Sequence, residues 1–407
     1  MVVAESASIF TSRAFRQYFV GQSLSLLGDG LRTLAVPLLA YHITHSALST
    51  GTALVCEFAP FSIFALAGGS LADRLDRRRT MIGADVIRFG VMAFFALAYA
   101  AHVLTLPMIY GGLIVISICA AAFLGGQSAS IPYLLGRERS TEAMAALVGA
   151  QNVSNLVTPV IGGALFAYFG PLPALTANAL TYLGSTLSLA RIGSLGPDAP
   201  AGVPSWRHVA DDAVLAWRHF WSDVGMRAQA TIGFTLNALG FGAFAILIPF
   251  LKRDFSASDR EVGIFLGISA IGAIAGAAFA VRNARRWPFG RALTIAYLLD
   301  AALFVPIVFT ASLWVAAFFW AASNAIASFE VAQILGFRLR ITAEDYVGRV
   351  MGAVRLYVMS GMAPGVLVLG WIADHASPRA AMMVATFAFA AVAVIANLVP
   401  AIRDESR

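Results

Sequence analysis

Gly69-Ser70-Leu71-Ala72-Asp73-Arg74-Leu75-Asp76-Arg77-Arg78-Arg79 lies between two apolar runs, each long enough to cross a membrane. Six of the seven residues from Asp73 to Arg79 are charged, and charge is costly in hydrocarbon. The chain must therefore surface there, and both apolar neighbours must end close by in a tight hairpin. Arginines in such a hairpin hold it on the cytoplasmic side, while an aspartate can cap a helix N-terminus or pair with a basic group.

Composition points the same way. Of 407 residues, 59% are hydrophobic and 12% charged, against about 25% charged in soluble domains. A span needs roughly 20 apolar residues. Twelve can be counted, at 17–44, 49–72, 80–102, 104–130, 143–169, 171–193, 226–251, 259–283, 288–311, 312–336, 345–374 and 378–401. The expected fold is an all-α polytopic membrane protein, and little chain remains for a soluble domain. The first run is too long for a signal-peptide core and is expected to stay in the mature protein. A soluble enzyme is excluded by composition. No nucleophile–base constellation, phosphate loop or ATP-binding motif is present, so any work must be driven by a gradient.

The net charge of +6 does not mark a nucleic-acid surface, because the arginines crowd alternate loops. They fall at Arg74, Arg77, Arg78 and Arg79, at Arg137 and Arg139, at Arg191, Arg207, Arg218 and Arg227, at Arg282, Arg285, Arg286 and Arg291, and at Arg338, Arg340 and Arg349. This is the positive-inside pattern, and it places both termini in the cytoplasm. A single lysine in the chain fits a GC-rich bacterial genome and hence a bacterial cytoplasmic (inner) membrane. Cys56 and Cys119 both lie in apolar runs and form neither a disulfide framework nor a zinc spacing, so no metal or cofactor is expected.

The chain repeats itself. Shifted by 212 residues, Leu27-Gly28 meets Leu239-Gly240, Gly30 meets Gly242, Pro37 meets Pro249 and Gly51 meets Gly263. A shift near 207 brings Gly163 onto Gly370 and Pro171 onto Pro378. Two parallel six-helix bundles are expected, at 1–193 and 226–407, with a substrate site at their interface. Residues 194–225 join them as a cytoplasmic linker. Trp206, Val209, Ala213, Trp217, Phe220 and Trp221 recur there at helical spacing, as in an amphipathic helix on the membrane surface.

Polar groups inside apolar runs are functional candidates. Asp29 and Arg32 share a face of the first span, and Glu57 in the second falls at a similar depth. A carboxylate held away from water binds a proton readily unless a cation stabilises it, so this trio can carry protons or substrate contacts. Equally, Asp29–Arg32 can be a structural pair. Glu330 is the coupling candidate of the second half. Asp300 is expected to be structural, paired with Arg88 or Arg355, and Asp85 and Arg88 are assigned to a cytoplasmic gate. Phe58, Phe234, Phe241, Phe244, Phe329 and Tyr357 are candidates for an aromatic cavity wall. The small residues of 154–163, with Gly263, Gly267, Gly272 and Gly276, read as a sliding seam between halves.

The charged hairpin closely resembles the loop between helices 2 and 3 of the major facilitator superfamily, written G-x-L-A-D-R-x-G-R-R. Asp76 stands where most members have Gly, as in the drug- and siderophore-exporter branch. Ser154, Thr158, Pro159, Gly162 and Gly163 resemble that family's antiporter motif, G-x-x-x-G-P-x-x-G-G, with Ser and Thr for the first two glycines. With Leu27-Gly28-Asp29-Gly30 and Gly348-Arg349-Val350-Met351-Gly352, the chain is similar to the enterobactin-exporter and macrolide-efflux branch. The resemblance implies twelve transmembrane helices in two pseudo-symmetric bundles and a monomeric proton-coupled exporter of amphipathic small molecules, such as drugs or siderophores. Its partners would be substrate, protons and membrane lipids. The resemblance also implies a cytoplasmic gate of Gly69, Asp73, Arg74, Arg77, Arg78, Gly348 and Arg349, with Asp73 capping a helix near Gly348. A lipid or lysolipid flippase is the alternative within the fold, and a non-transporting membrane sensor is the alternative outside it.

Overall fold

A computed structural model describes residues 8–72, 76–136, 138–193, 195, 217–218, 220–283, 289–341 and 347–398, with side chains left out at 65–72, 128, 129, 159, 167, 335–341 and 347–352. After a 3-10 turn at Ile9–Thr11, every regular element among the described residues is an α-helix. The first half holds α1 (Arg13–Thr44), α2 (Ala47–Ala72), α3 (Arg77–Ala100), α4 (Leu106–Leu135), α5 (Ser140–Phe169) and α6 (Pro171–Ala190). The second holds α7 (Val224–Asp254), α8 (Asp259–Asn283), α9 (Phe289–Phe309), α10 (Leu313–Ile341), α11 (Val347–Ser360), α12 (Met362–His375) and α13 (Pro378–Leu398). Eleven membrane-spanning segments pass by length and apolarity alone, one of them running across α11 and α12. The other long helix, α6, is diluted by Asn178, Thr181, Tyr182, Ser185 and Ser188.

Helix starts repeat at the offsets visible in the sequence. Ala47 and Arg77 open α2 and α3, and Asp259 and Phe289 open α8 and α9, 212 residues on. Leu106, Ser140 and Pro171 open α4, α5 and α6, and Leu313, Val347 and Pro378 follow at 207. One expectation is revised. The run 345–374 is not one continuous helix but breaks at Gly361, where a Cβ would come within 2.3 Å of the Phe234 carbonyl oxygen of α7. Close approach of α7 is what the glycine at the break permits.

Local signals explain the ends. Asp76 caps α3, its carboxylate accepting from the Arg79 amide at 3.0 Å. Arg78 ties the same end of α3 to the last turn of α6, donating to the Leu189 and Ala190 carbonyls at 3.0 and 2.6 Å. A cation at the negative end of a helix and an anion at the positive end both stabilise it. Asp73 and Arg74 lie outside the described residues, as does most of the linker. Of its amphipathic stretch, Trp217 and Trp221 are seen stacked at 5.7 Å, beside a fully buried Phe220.

Contacts group the helices into two compact units. One takes the chain up to Ala35 and resumes at Pro60 for the rest of the first half, and the other joins Val36–Ala59 to the second half. The first is cored by Phe15, Tyr18, Met81, Phe123, Ile131 and Leu147. In the second, Leu54 of α2 packs with Ala245, Met362 and Val366. Asp374, at the end of α12, receives the Ser46 hydroxyl at 2.5 Å and the Ala47 and Leu48 amides at 2.6 and 3.1 Å. That carboxylate caps α2 from another helix.

Replacing Asp76 by Ala should lower stability by about 1 kcal/mol, whereas Asn, which also caps, should restore most of it. Thermal unfolding of the detergent-purified protein checks this. An Asn variant as unstable as the Ala variant would show that the cap is not the cause.

Candidate functional site

Apart from Arg77, the buried charges described in the first unit lie in one cluster. Arg32 donates to Asp29 at 3.3 Å, one turn along α1. Arg88 of α3 lies 3.7 Å from the other Asp29 oxygen and also donates to Asp85. Tyr182 of α6 donates to Asp29 at 2.6 Å. The Arg88 guanidinium is sandwiched by Phe123 and Tyr182, 4.5 and 4.6 Å from the ring centres. Asp85 and Arg88 are 0% and 1% exposed, while the Asp29 side chain keeps 29%. Two carboxylates thus face two guanidiniums, and the group is neutral as a whole. Asp85 and Arg88, expected in a cytoplasmic gate, belong here instead. The signal was available, since Asp85 and Arg88 repeat on α3 the three-residue spacing of Asp29 and Arg32.

The glycines beside Asp29 make the cluster reachable. A Cβ on Gly28 would fall 2.0 Å from the Thr181 hydroxyl, and one on Gly30 would fall 2.1 Å from that of Thr158. Without side chains there, α5 and α6 close onto α1. The Ser154 hydroxyl donates to the Leu26 carbonyl at 2.8 Å, and the Asn178 amide donates to that of Gly28. Ser154 and Thr158 are buried, and the room at Gly162 is bounded by Leu31 and Leu34. The contacts of the helix 5 motif are therefore to α1, inside one unit, and its hydroxyls bond where glycine could only pack. On α8, Gly272 and Gly276 face the backbone of Ala321 and Ala325 on α10, again inside one unit. Gly163 is buried; the Pro159 side chain lies outside the described residues.

Of the expected gate, Arg77 is buried with its guanidinium 4.8 Å from the Tyr133 ring centre, and Arg78 fastens α3 to α6. Gly69, Gly348 and Arg349 have helical backbone, but their side-chain surroundings, like Asp73 and Arg74 altogether, lie outside the described residues. Glu57 is buried on α2 and belongs to the second unit. It precedes Phe58, whose ring packs 5.8 Å from Phe241.

The second unit has a cavity of about 390 Å³ among α7, α9, α10 and α13. Phe241, Phe244, Phe304, Trp320 and Phe389 form its apolar wall, and Asn237, Asn324, Ser323, Asp300 and Glu330 its polar part. Asp300 accepts from Ser323 at 2.5 Å, not from Arg88 or Arg355. Glu330 is 7% exposed, and its Oε1 has no hydrogen-bond partner among the described residues. Asp300 lies on the same cavity lining. Of the expected aromatic wall, Phe241 and Phe244 line this space. Phe234 stacks on Tyr357 at 5.3 Å, and Phe329 borders a separate apolar cavity of about 470 Å³.

A family profile described as transmembrane secretion effector matches residues 4–406. An enterobactin exporter, EntS, of Citrobacter koseri is 25% identical over 398 residues, covering 95% of this chain and 92% of that protein. Its Shigella boydii counterpart is 24% identical, with 96% and 92% covered. Among solved structures, a bacterial homologue of the human lysosomal transporter Spinster, inward-facing and unoccupied, superimposes with TM-score 0.75 at 14% identity, over 99% of each chain. A bacterial homologue of the iron transporter ferroportin, inward-facing, gives 0.68 at 15%, over 95% of this chain and all of that one. These two similarities define the fold, that of the major facilitator transporters.

Removing Arg88 strands the fully buried Asp85, so Arg88→Met should cost about 3–5 kcal/mol. Adding Asp85→Asn removes one uncompensated charge and should recover part of that loss. Melting temperatures of the purified single and double variants check this; a double variant less stable than Arg88→Met would contradict it.

Proposed function

This chain belongs to the transmembrane secretion effector family of the major facilitator superfamily, and on that premise we propose that it is a proton-coupled exporter of amphipathic small molecules working by alternating access. Export as the direction follows the relatives named as enterobactin exporters. The alternate crowding of arginines supports a bacterial cytoplasmic membrane with both termini inside. Acting as a monomer, the chain would handle small-molecule substrate, protons and lipid.

The observation that carries proton coupling is Glu330: a buried carboxyl that lines a cavity, with another carboxyl on the same lining and no cation there among the described residues. In a low-dielectric site such a group is tolerated as the neutral acid, and it ionises when the cavity wets. Exposure to the two sides of the membrane in turn would load it from outside and release its proton inside, against outward movement of substrate. The Asp29 cluster offers less. Its charges already cancel, and a proton on Asp29 would leave two guanidiniums facing one carboxylate. We therefore assign Asp29 and Arg32 to positioning of α1 against α3 and α6.

Ethidium accumulation in efflux-deficient bacterial cells tests the proposal, with wild type, Glu330→Gln and Asp29→Asn compared with and without a protonophore at matched membrane levels. Wild type should lower accumulation, and the protonophore should abolish the effect. Glu330→Gln should lose it while reaching the membrane normally, whereas Asp29→Asn should mainly reduce the amount of folded protein. Full protonophore-sensitive export by Glu330→Gln would remove Glu330 from coupling, and protonophore-resistant export by wild type would remove the proton.

A further inference from the structure

The two repeat offsets set the charged cluster of the first unit against the cavity of the second. They carry Asp29, Arg32, Asp85, Arg88, Phe123 and Tyr182 onto Phe241, Phe244, Tyr297, Asp300, Glu330 and Phe389, respectively. Five of those six counterparts line the cavity, and Tyr297 lies one turn before Asp300 on α9. At one set of positions the first unit holds two carboxylates, two guanidiniums and two aromatic rings. At the matching set the second unit holds carboxyls and aromatic rings around an open space.

In the first unit, Arg88 meets Asp29 and Asp85 and lies over the Phe123 and Tyr182 rings. In the second, Asp300 takes the Arg88 position, Glu330 that of Phe123 and Phe389 that of Tyr182. The carboxyls of the second unit thus stand where the first has a guanidinium and a ring, and Phe241 and Tyr297 stand where it has carboxylates. The cavity lining combines two carboxyls with aromatic rings and no cation among the described residues. Glu330 Oε1 is a buried acceptor on the cavity lining without a donor among the described residues. We propose that this cavity is a binding site for a monovalent organic cation, an ammonium or aromatic iminium on an apolar body. Its charge would sit against Glu330 and Asp300, and its rings against Phe241, Phe304, Trp320 and Phe389.

The chemistry and the size agree. Carboxylate plus ring faces is how proteins hold quaternary and aromatic cations, and such contacts strengthen out of water. A space of about 390 Å³ suits a small drug-like body. Proton and ligand then compete for one pair of carboxyls. Around them, α7 contributes Asn237 and α10 contributes Trp320, Ser323 and Asn324, while α9 carries Tyr297 one turn before Asp300. Beyond the wall, Glu57 of α2 adjoins Phe58, which packs on Phe241. On α8, the face meeting α10 is Gly272 and Gly276, which bear no charge. The assignment rests on reading the chain as a transporter of amphipathic molecules, and it names the ligand class of the same site.

The test is direct binding of N-methyl-4-phenylpyridinium to the purified full chain in lipid nanodiscs. The probe is permanently charged, so any pH dependence belongs to the protein. Wild type should bind it saturably at pH 8 and more than about tenfold more weakly at pH 5.5. Glu330→Gln and Asp300→Asn should each weaken binding at pH 8 by a similar factor, while neutral 4-phenylpyridine binds wild type and Glu330→Gln alike. Absent binding, equal affinity at the two pH values, or undiminished affinity in a well-folded Glu330→Gln would each overturn the assignment. Should the variants fail to fold, the pH comparison on wild type decides alone. Binding needs no gradient, so a protein that binds the probe without exporting dye loses the transport reading only. One that exports dye without this binding loses the cation site only.

Discussion

Inside this helical protein a charge has to be neutralised where it stands, because hydrocarbon offers neither water nor mobile ions. The first unit meets that demand internally: two carboxylates and two guanidiniums on α1 and α3 cancel, with Tyr182 completing the hydrogen bonding of Asp29. Arg88 is the hinge of the arrangement. It is the largest fully buried side chain, it bridges α1 to α3, and its guanidinium faces are covered by rings of α4 and α6. Four helices are thereby held at one point, each by a contact that loses its value if another moves.

Such a knot needs close approach, and the backbone supplies it. Gly28 and Gly30 flank Asp29, and hydroxyls of α5 and α6 occupy the space their side chains would fill. Ser154 and Asn178 then bond to α1 carbonyls. Between helices surrounded by lipid, close packing and interhelical hydrogen bonds replace the hydrophobic driving force that holds a soluble core. Polar residues on α5 and α6 cost apolarity as spans, which is visible in α6, and contribute it back as helix–helix contact.

Much of this was legible in the sequence. The span 259–283 coincides with α8, and Asp29 and Arg32 meet as their spacing requires. Hydropathy and periodicity report which residues lie in the membrane and which share a face. They do not report how a helix is rotated against its neighbours. Arg88 was for that reason attached to the nearby loop arginines, although it points inward to Asp29, and Asp300 was given an arginine when its partner is Ser323. The break at Gly361 was equally hidden, since it depends on the approach of α7. Asp76 shows the converse. An aspartate in the hairpin could be read as a helix cap from sequence alone, and the Asp76 carboxylate does cap α3.

Duplicated halves inherit helix starts but are free to diverge in what the helices carry. Here the divergence divides the labour. In the proposed mechanism the balanced cluster of the first unit is the structural half, since a proton gained there unbalances an already neutral group. The second unit keeps carboxyls at Asp300 and Glu330 and lacks a cation for them among the described residues. Its energy therefore depends on what enters the cavity, whether water, proton or a cationic ligand. A two-state machine needs one element that resists change and one whose preferred state an external species can shift. On the reading proposed above, the charged cluster of one half is the fixed element and the carboxyl-lined cavity of the other is the responsive one.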